Sequence, residues 1–303
     1  MKTLVVANQK GGVAKTTTSV NLAAYLGDSD KRVLLIDLDP QANATSGIGL
    51  DRNSIEKSVY DILIGREDIS TVLKDSPTKG VWVIPASLSL VGAEIELVSA
   101  ERREFRLADS ILKNDIKNRY DFIIIDTPPS LGLLTLNAMT AANSVLIPMQ
   151  CEYYALEGLA QLYKTIQLVK KKTNPDLSIE GLLFSMVDLR SNLTLQVMNE
   201  VKKILKDKVY ETVIPRNVRL AEAPSFGKSI LTYDKSSKGA EAYEKLAKEF
   251  LSRNTLSPSP LPEGRGPTTI AAAGDVGLLP LGEGGRRPDE GSTVVTNPQE
   301  VTS

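Results

Sequence analysis

The sequence contains no histidine among its 303 residues. This absence excludes Ser-His-Asp and Cys-His nucleophile systems and most catalytic zinc sites, because each of them depends on an imidazole. Any chemistry therefore rests on Lys, Arg, Asp, Glu, hydroxyl groups, backbone amides or a hard metal ion.

Cysteine and long apolar runs are also scarce. Cys151 is the only cysteine, which excludes an internal disulfide and a Cys-x-x-Cys metal site and makes a small buried apolar role the simplest one for this side chain. Apolar runs such as VLIPM are strand-sized, far short of a membrane span, and there is no signal-peptide pattern. We therefore expect a cytosolic protein without a membrane partner.

The charge is nearly balanced, which limits the functions that composition alone supports. The chain has 36 Lys and Arg against 37 Asp and Glu. Residues 255–303 hold three of the basic and six of the acidic residues. The first 254 residues therefore carry 33 basic and 31 acidic side chains. A nucleic-acid-binding domain normally has a clear basic excess, so such a function would need a local patch.

Short β-branched runs alternate with longer helical stretches from residue 2 to about residue 253. Most of the runs are apolar throughout, which is typical of strands covered on both faces in a parallel sheet. The alternation predicts an α/β fold with a doubly wound, mostly parallel sheet and helices on both faces, in which ligands bind at the carboxyl ends of the strands. The predicted strands are 3–7, 32–37, 81–86, 121–126, 144–149, 179–188 and 209–215, and the predicted helices include 16–27, 133–143, 155–172, 194–206 and 238–253.

The C-terminal stretch, residues 254–303, differs in composition from the rest of the chain. It is rich in Pro, Gly, Ser and Thr, nearly free of aromatic residues and without sustained periodicity. Such a segment buries too little apolar surface to offset the entropy of ordering it, so we predict a disordered tail after one domain of residues 1–253. LSPSPLPEGRG resembles dispersed bacterial repeat DNA read through in frame, which favours a dispensable extension over a functional tail.

A glycine-rich stretch, NQKGGVAKTTT at residues 8–18, follows the first predicted strand. A strand, a glycine-rich turn and a Lys-Thr-Thr helix start together form the setting of a phosphate-binding loop. The backbone amides of residues 11–17 can surround an anion at the helix N-terminus. Lys15 can then span the β- and γ-phosphates, and the Thr16 hydroxyl can ligate Mg²⁺.

KGGVAKTT, within this stretch, resembles the deviant Walker A box KGGxGK[ST]T of the ParA/MinD/NifH group of P-loop ATPases. In that group the first glycine of the standard pattern is absent, which accounts for Gln9, and an extra lysine stands near the start of the loop. The resemblance implies that this lysine, Lys10, reaches across a dimer interface to the phosphates of an ATP bound by the other copy. It also implies nucleotide contacts from the whole loop, which comprises Lys10, Gly11, Gly12, Val13, Ala14, Lys15, Thr16 and Thr17.

Ala14 is the true departure from the box. Glycine suits the left-handed backbone conformation expected at this position, where a Cβ atom costs about 1–2 kcal/mol. This penalty is small beside the several contacts that a triphosphate makes. We therefore expect weakened rather than abolished ATP binding, with a larger effect on turnover than on the fold.

Two acidic motifs follow predicted strands. Asp37 and Asp39, in LLIDLDPQ, are two residues apart, so on an extended segment their carboxylates point the same way and suit Mg²⁺ and water. DFIIIDTPPS ends its strand in Asp126, the Walker B arrangement in which a carboxylate holds the metal through water. The resemblance implies that Asp39 orients the attacking water and that Thr16, Asp39 and Asp126 surround Mg²⁺. It also implies that the following Thr-Pro-Pro is a second switch.

Two further assignments depend on the resemblance alone. VIPRNVRLAEAPSFGKSI resembles the stretch around the adenine pocket and third switch of ParA/Soj proteins, which implies base contacts from Pro215, Arg216 and Asn217. QCEYYALEGL also matches the group, and Glu152 is then expected to approach a ribose across the dimer.

The sequence also discriminates between members of this group. A nitrogenase-type reductase needs several cysteine ligands for its iron–sulfur cluster, and anion-pump ATPases usually carry two P-loops. A MinD-like division-site ATPase needs a C-terminal amphipathic membrane helix, whereas KGAEAYEKLAKEFLSR is typical of a core-packed helix of balanced charge. MVDLRSNLTLQVMNEVKK and PRNVRLAEAPSFGKSI closely resemble Soj segments, and the resemblance covers nearly the whole of residues 2–253.

In ParA/Soj proteins, arginines that match Arg190 and Arg219 contact DNA without sequence preference once the ATP dimer forms. Such contacts act through phosphates and counterion release, so they weaken steeply with salt. The helix after Arg190 adds four further cations, Lys202, Lys203, Lys206 and Lys208. Taken alone, these lysines are more simply interpreted as the solvated face of a surface helix.

The resemblance as a whole implies a ParA/Soj-type DNA-partitioning ATPase in which Lys10, Lys15 and Asp39 are catalytic and ATP and Mg²⁺ are the cofactors. The ATP-bound homodimer is expected to coat double-stranded nucleoid DNA, and a ParB/Spo0J-like centromere-binding partner to trigger an otherwise slow hydrolysis. The alternatives are a MinD-like or other cargo-positioning ATPase, or an ATP-gated DNA binder in which Ala14 has largely silenced hydrolysis.

Overall fold

A seven-stranded sheet forms the centre of the protein in a computed structural model, in which residues 1–114, 116–152 and 155–255 are described. Across the sheet the strands follow the order β3-β4-β2-β5-β1-β6-β7, and each neighbouring pair is parallel except β3 with β4. The predicted doubly wound, mostly parallel α/β fold is therefore confirmed. The strands are β1 (Lys2–Val6), β2 (Val33–Asp37), β3 (Lys74–Asp75), β4 (Val81–Ile84), β5 (Phe122–Asp126), β6 (Ser144–Met149) and β7 (Ser178–Phe184).

Helices cover both faces of this sheet. Short 3₁₀ turns also occur in the described residues, at Arg52–Ser54, Leu97–Ser99, Lys206–Lys208 and Ala223–Phe226. The α-helices there are α1 (Lys15–Asp28), α2 (Asn43–Gly47), α3 (Val59–Leu63), α4 (Ile69–Val72), α5 (Leu90–Glu96), α6 (Arg106–Lys113), α7 (Ile116–Arg119), α8 (Leu133–Ala141), α9 (Ala155–Lys172), α10 (Asn192–Leu205), α11 (Val218–Glu222), α12 (Ile230–Tyr233) and α13 (Lys238–Thr255).

The central strands are buried on both sides, as their apolar composition predicts. In β2, Leu34 and Ile36 belong to the hydrophobic cluster under α3, α6 and α8, whereas Val33 and Leu35 belong to the cluster under α1 and α13. Successive side chains of a strand point to opposite faces, so a strand between two helical layers needs apolar residues at every position.

β1 lies where the strand order reverses. It pairs with β5 on one side, with Val6 opposite Asp126, and with β6 on the other, with Val6 opposite Leu146. In open α/β sheets a crevice forms at the carboxyl ends of the strands at such a reversal, and ligands bind there. The loop that follows β1 is the glycine-rich loop, so the topology places it in this crevice.

The predicted strand at residues 209–215 is wrong. Only two isolated parallel bridges form, between Leu182 and Val209 and between Val187 and Pro215. The reason lies in the middle of the segment, where the backbone amides of residues 211 and 212 donate to the carboxylate of Glu249, both at 2.9 Å. Bonds to a side chain of α13 interrupt the ladder, so backbone bonds to β7 form only on either side, from the Tyr210 amide to the Leu182 carbonyl and from the Ile214 amide to the Phe184 carbonyl.

The predicted strand at 179–188 is too long, and β3 was not predicted at all. β7 ends at Phe184, and Met186 follows with a left-handed φ of 50° that no strand accommodates. β3 has only two residues and pairs antiparallel with β4 at the edge of the sheet. A two-residue strand is too short to show a periodic pattern in the sequence. It is recognised only by its pairing with a partner strand in the structure.

The C-terminal part of the described chain is one long helix. α13 packs Tyr243, Leu246 and Phe250 into the core with no exposed surface, which confirms the prediction of a core-packed helix. The helix includes residues 254 and 255, and the rest of the predicted tail lies outside the described residues. None of the described helices is both long enough and apolar enough to cross a membrane.

Candidate nucleotide site

The loop between β1 and α1 has the backbone of a phosphate-binding loop. Gly12 has a φ of +72°, and Ala14, which precedes the first residue of α1, has φ 64° and ψ 31°. Ala14 therefore adopts the left-handed conformation that the sequence predicted, with a strain of about 1–2 kcal/mol from its Cβ atom. The Ala14 carbonyl accepts the first helical bond from the Thr18 amide at 2.9 Å, so the strained residue starts the helix.

A cavity of about 680 Å³ opens above this loop at the carboxyl end of the sheet. Its volume lies in the range of small-molecule sites. Segments that are far apart in the sequence meet around it: the loop itself, the region after β2 and the stretch before α11. The predicted site residues that line the cavity are Gly11, Gly12, Ala14, Lys15, Thr16, Thr17, Asp39, Pro215, Arg216 and Asn217.

Lys15 is buried at the bottom of this cavity, with 6% of the residue exposed. Its ammonium group donates to the backbone carbonyl of Lys10 at 3.1 Å. Burial lowers the pKa of Lys15, while the negative charges of Asp126 and Asp39 raise it in part. A cation in so dry a place interacts strongly with an anionic ligand, because little water screens the pair.

Asp126, at the end of β5, lies directly beneath the start of α1. Its two oxygens accept hydrogen bonds from the Thr16 and Ser19 hydroxyls, both at 2.7 Å. Burial, followed by the nearby charge of Asp37, raises the pKa of Asp126 to about 7. A bound cation would offset this cost of burying a carboxylate.

Thr16 and Asp126 fit the ligand preferences of Mg²⁺, which takes few protein ligands and keeps waters and phosphate oxygens in its other positions. In the part of the chain that the structure describes, no three Asp, Glu, Cys or His side chains are grouped as a metal site. Mg²⁺ bound here would therefore depend on nucleotide oxygens and on water held by the Asp126 carboxylate.

Asp37 and Asp39 have separate environments, contrary to the expectation that both carboxylates serve the ligand. Asp37 is fully buried and accepts from the Thr45 amide at 2.7 Å and the Thr45 hydroxyl at 2.8 Å, and its pKa is raised to about 6, chiefly by burial. Of the two, Asp39 lines the cavity. β2 ends at Asp37, so the alternation of an extended strand does not continue to Asp39.

Three of the predicted nucleotide residues lie outside the cavity lining. Lys10 forms an ion pair with Glu152 at the exposed rim. Val13 is buried, and its carbonyl accepts from the Ser185 hydroxyl at 2.9 Å. The Val13 side chain and carbonyl thus hold the loop to the end of β7.

The remaining wall is built by residues around the end of β7 and the start of α11. The Asn217 side chain accepts from the Leu220 amide at 3.3 Å and so caps α11. Met186 lines the cavity opposite the loop, and the Gln150 amide group donates both to the Gly12 carbonyl at 2.9 Å and to the Met186 sulfur at 3.3 Å. This contact connects the end of β6 with the loop.

Known proteins resemble this chain over almost all of the described residues. A protein-family model described as an AAA domain matches residues 1–179. The sporulation initiation inhibitor protein Soj of Bacillus subtilis (strain 168) is 58% identical over 248 residues, which are 82% of this chain and 97% of Soj. The chain belongs to the ParA/Soj family of chromosome-partitioning ATPases.

Other relatives agree with this family in sequence and in structure. The chromosome partitioning protein ParA of Myxococcus xanthus (strain DK1622) is 52% identical over 252 residues, covering 83% of this chain and 88% of that protein. The solved structure of cobyrinic acid a,c-diamide synthase from Mycobacterium smegmatis with bound ADP and magnesium has a TM-score of 0.69 and 38% identity, covering 82% and 93% of the two chains.

The two arginines predicted from the ParA/Soj resemblance lie outside the nucleotide cavity, on separate elements. Arg190 precedes α10 and has 90% of its side chain exposed, where it pairs with Asp188 at 2.7 Å. Arg219, in α11, pairs with Glu222 at 2.9 Å and with Asp234 at 3.4 Å. Both cations are accessible, and each is partly neutralised by carboxylates of the same chain.

Several residues of this ParA/Soj site were not found by sequence reasoning. Ser19 carried a usable signal, because its spacing of three from Thr16 places both hydroxyls on one face of α1. Gln150 and Met186 begin the stretches QCEYYALEGL and MVDLRSNLTLQVMNEVKK, which resemble the family. No local pattern singles out these two side chains or Tyr243, since only the fold brings them to the loop.

Proposed function

We propose that this chain binds ATP with Mg²⁺ in the cavity, dimerises on doing so, and partitions DNA. The ATP-bound dimer binds double-stranded DNA without sequence preference, and a ParB/Spo0J-like centromere-binding protein stimulates hydrolysis. The observation that carries the proposal is the convergence of Lys15, Thr16 and Asp39 on one cavity above the buried Asp126.

The geometry supports separate roles for these residues in phosphoryl transfer. The amides of residues 11–17 and the Lys15 ammonium bind the β- and γ-phosphates and neutralise charge as it develops. Thr16 and Asp126 hold Mg²⁺, which supplies further neutralisation of the phosphate oxygens. Asp39, at the cavity wall, orients the water that attacks the γ-phosphate.

Dimerisation completes the site in this proposal. Lys10 and Glu152 lie at the exposed rim, with 40% and 54% of their side chains accessible, so both can meet a second copy. Lys10 would contact the phosphates bound by that copy, and Glu152 the ribose. ATP then acts as the bridge between the two chains, and hydrolysis releases them.

DNA binding would use Arg190 and Arg219 together with the lysines of α10 and the turn that follows it. These arginines are exposed, which supports contact with phosphates. The described body has almost no net charge, so one chain binds DNA weakly and a dimer, which brings two patches together, binds it better. The active form would therefore lie on the nucleoid in the cytoplasm.

Turnover is proposed to be slow without the partner protein. Ala14 supports this, since its left-handed backbone adds strain to the loop that grips the phosphates. The same observation favours a second candidate function, an ATP-gated DNA binder with little hydrolysis. A third, positioning of a cargo other than DNA by a MinD-like or related mechanism, differs from the first in its partner rather than in its nucleotide site.

Co-sedimentation with DNA tests the proposal. The wild type and Arg219→Glu are compared with ATP, ADP and no nucleotide at two salt concentrations, and ATP-driven dimerisation and phosphate release are followed in the same samples. We expect binding that requires ATP, falls steeply with salt and is lost in Arg219→Glu, together with phosphate release that a ParB-like protein accelerates.

The other outcomes select between the candidates. ATP-dependent binding without stimulated phosphate release supports the ATP-gated DNA binder. Dimerisation with ATP but indifference to DNA supports a cargo-positioning ATPase. No response to nucleotide would show that Ala14 has disabled the loop and would contradict all three candidates.

A further inference from the structure

A stripe of large aliphatic side chains in α5 and in the turns on either side of it faces solvent. Its members are Leu88, Val91, Ile95 and Val98, with exposures of 71%, 55%, 74% and 61%. Val91 and Ile95 lie one helical turn apart on one side of α5. Leu88 lies in the turn before the helix, and Val98 lies in the 3₁₀ turn Leu97–Ser99 that continues it. We call these four residues the α5 stripe.

The α5 stripe is not the core-facing side of the helix. That side is formed by Leu90, Ala93 and Leu97, which are buried against the cluster that also holds α3, α6 and α8. A surface helix normally has one apolar side and a polar side opposite to it. α5 has two apolar sides, and a contiguous exposed apolar patch of this kind marks an interaction surface.

Carboxylates flank the α5 stripe on both edges. At helical spacing Glu94 lies along one edge and Glu96 along the other, and residues 80–101 contain three glutamates and no Lys or Arg. Among the residues that the structure describes, neither Glu94 nor Glu96 has a cationic partner, and the Glu96 carboxylate accepts only from the Tyr60 hydroxyl, at 2.9 Å. Two cations of this region are engaged elsewhere: Arg103 binds Glu104 and the Val98 carbonyl, and Arg66 lies over the Tyr60 ring.

α5 and the segment before it contact the two acidic regions of the nucleotide site. The Glu94 carboxylate packs so closely on Gly132, in the loop after Asp126, that a Cβ atom there would lie 2.4 Å from it. On the other side, the Ala86 amide just before α5 donates to the Thr45 hydroxyl at 2.9 Å. Thr45 in turn donates to Asp37, whose carboxylate also binds the Asp39 amide.

We propose that the α5 stripe docks a short amphipathic helix of a partner protein, with an apolar face and Lys or Arg on its flanks. The unpaired Glu94 and Glu96 on either side of the stripe favour a cationic occupant over a second copy of this nearly neutral chain. A helix bound to α5 would affect the position of Gly132 through Glu94. It would also affect the position of Asp39, through Thr45 and Asp37. This inference rests on the proposed function, because it takes partner-stimulated ATP hydrolysis as the process that docking controls.

The test uses the full chain and the ParB/Spo0J-like protein of the same organism. The probe is the concentration of that protein needed for half-maximal stimulation of ATP hydrolysis. The variants are Val91→Ser/Ile95→Ser for the stripe and Glu94→Gln/Glu96→Gln for its edges. Leu168→Ser, an exposed leucine of α9, is the matched control. Basal hydrolysis, ATP-driven dimerisation and DNA co-sedimentation are measured for each.

Loss of two aliphatic anchors should raise the half-maximal concentration about tenfold or more in Val91→Ser/Ile95→Ser. Loss of the flanking charges should raise it about threefold to tenfold and flatten its dependence on salt. Leu168→Ser should behave as the wild type, and all three should dimerise and bind DNA normally.

Two results would overturn the inference alone. Wild-type stimulation of Val91→Ser/Ile95→Ser would show that the partner docks elsewhere, and loss of ATP-driven dimerisation in that variant would assign the stripe to a second copy. Absence of stimulation in the wild type would instead overturn the proposed function and this inference with it.

Discussion

Lys10 and Glu152 form an ion pair across the rim of the nucleotide cavity, although they are 142 positions apart in the sequence. The pair holds the Lys10 ammonium within its own chain, whereas the proposed dimer requires it at the phosphates of the other copy. The two contacts exclude each other, so the ion pair competes with dimerisation.

Glu152→Gln should therefore make dimerisation easier. The amide can still bond a ribose hydroxyl but no longer holds Lys10, and an exposed ion pair contributes up to about 1 kcal/mol. The ATP concentration for half-maximal dimerisation should fall by up to about fivefold, as measured by light scattering. Glu157→Gln, an exposed glutamate of α9, is the control, and an unchanged ATP requirement in Glu152→Gln would contradict the competition.

Ala14→Gly should stabilise the protein and strengthen ATP binding. Glycine adopts the left-handed conformation of Ala14 without strain, although it adds entropy to the unfolded chain, so a net gain of about 1 kcal/mol in the free energy of unfolding is expected. Chemical denaturation and nucleotide titration measure the two effects. Ala160→Gly, at an exposed position in the interior of α9, should lower the free energy of unfolding by about 1 kcal/mol, and a similar loss in Ala14→Gly would contradict the argument.

The nucleotide-free protein should lose stability as the pH rises towards 7. The pKa of Asp126 is raised to about 7, first by burial and then by Asp37, from about 3.9 in the unfolded chain. Between these values the folded state binds the additional proton, so the free energy of unfolding decreases with increasing pH. Asp126→Asn should flatten this dependence and remove the stabilisation by Mg²⁺ with ATP at pH 8, both read from thermal melts.

Asp121→Asn is the matched control for this pH series. Hydrogen bonds from Arg32 lower the pKa of Asp121, so its contribution has the opposite sign and is lost as the pH falls. A pH dependence in Asp126→Asn equal to that of the wild type would show that another group causes it.

Asp188→Asn should increase the affinity for DNA. Arg190 binds Asp188 through two hydrogen bonds, of 2.8 and 2.7 Å, and this guanidinium holds the pKa of Asp188 down at about 2. Releasing Arg190 frees one more cation for phosphate, so affinity in the presence of ATP should rise about threefold and its salt dependence should steepen by about one ion. Asp176→Asn makes the same charge change at another exposed aspartate. An equal increase in DNA affinity there would show that the net charge, and not the release of Arg190, causes the effect.

The fold class and most of the cavity lining were predictable from the sequence. Apolar strand runs and the motifs around Lys15, Asp39 and Asp126 each carry their meaning within a dozen residues, since backbone periodicity and loop chemistry are local properties. The strand predicted at residues 209–215 failed because Glu249, in α13, takes the amides that a strand would use.

What the sequence determined by itself is the α/β architecture, the position of the phosphate-binding loop and the family. Only the tertiary structure decided that Ser19 shares Asp126 with Thr16, that Lys10 is held by Glu152, and that α5 has a second apolar side in solvent. These features depend on which distant segments meet and which faces remain uncovered. Burial and pairing are properties of the packed chain, and no local pattern specifies them.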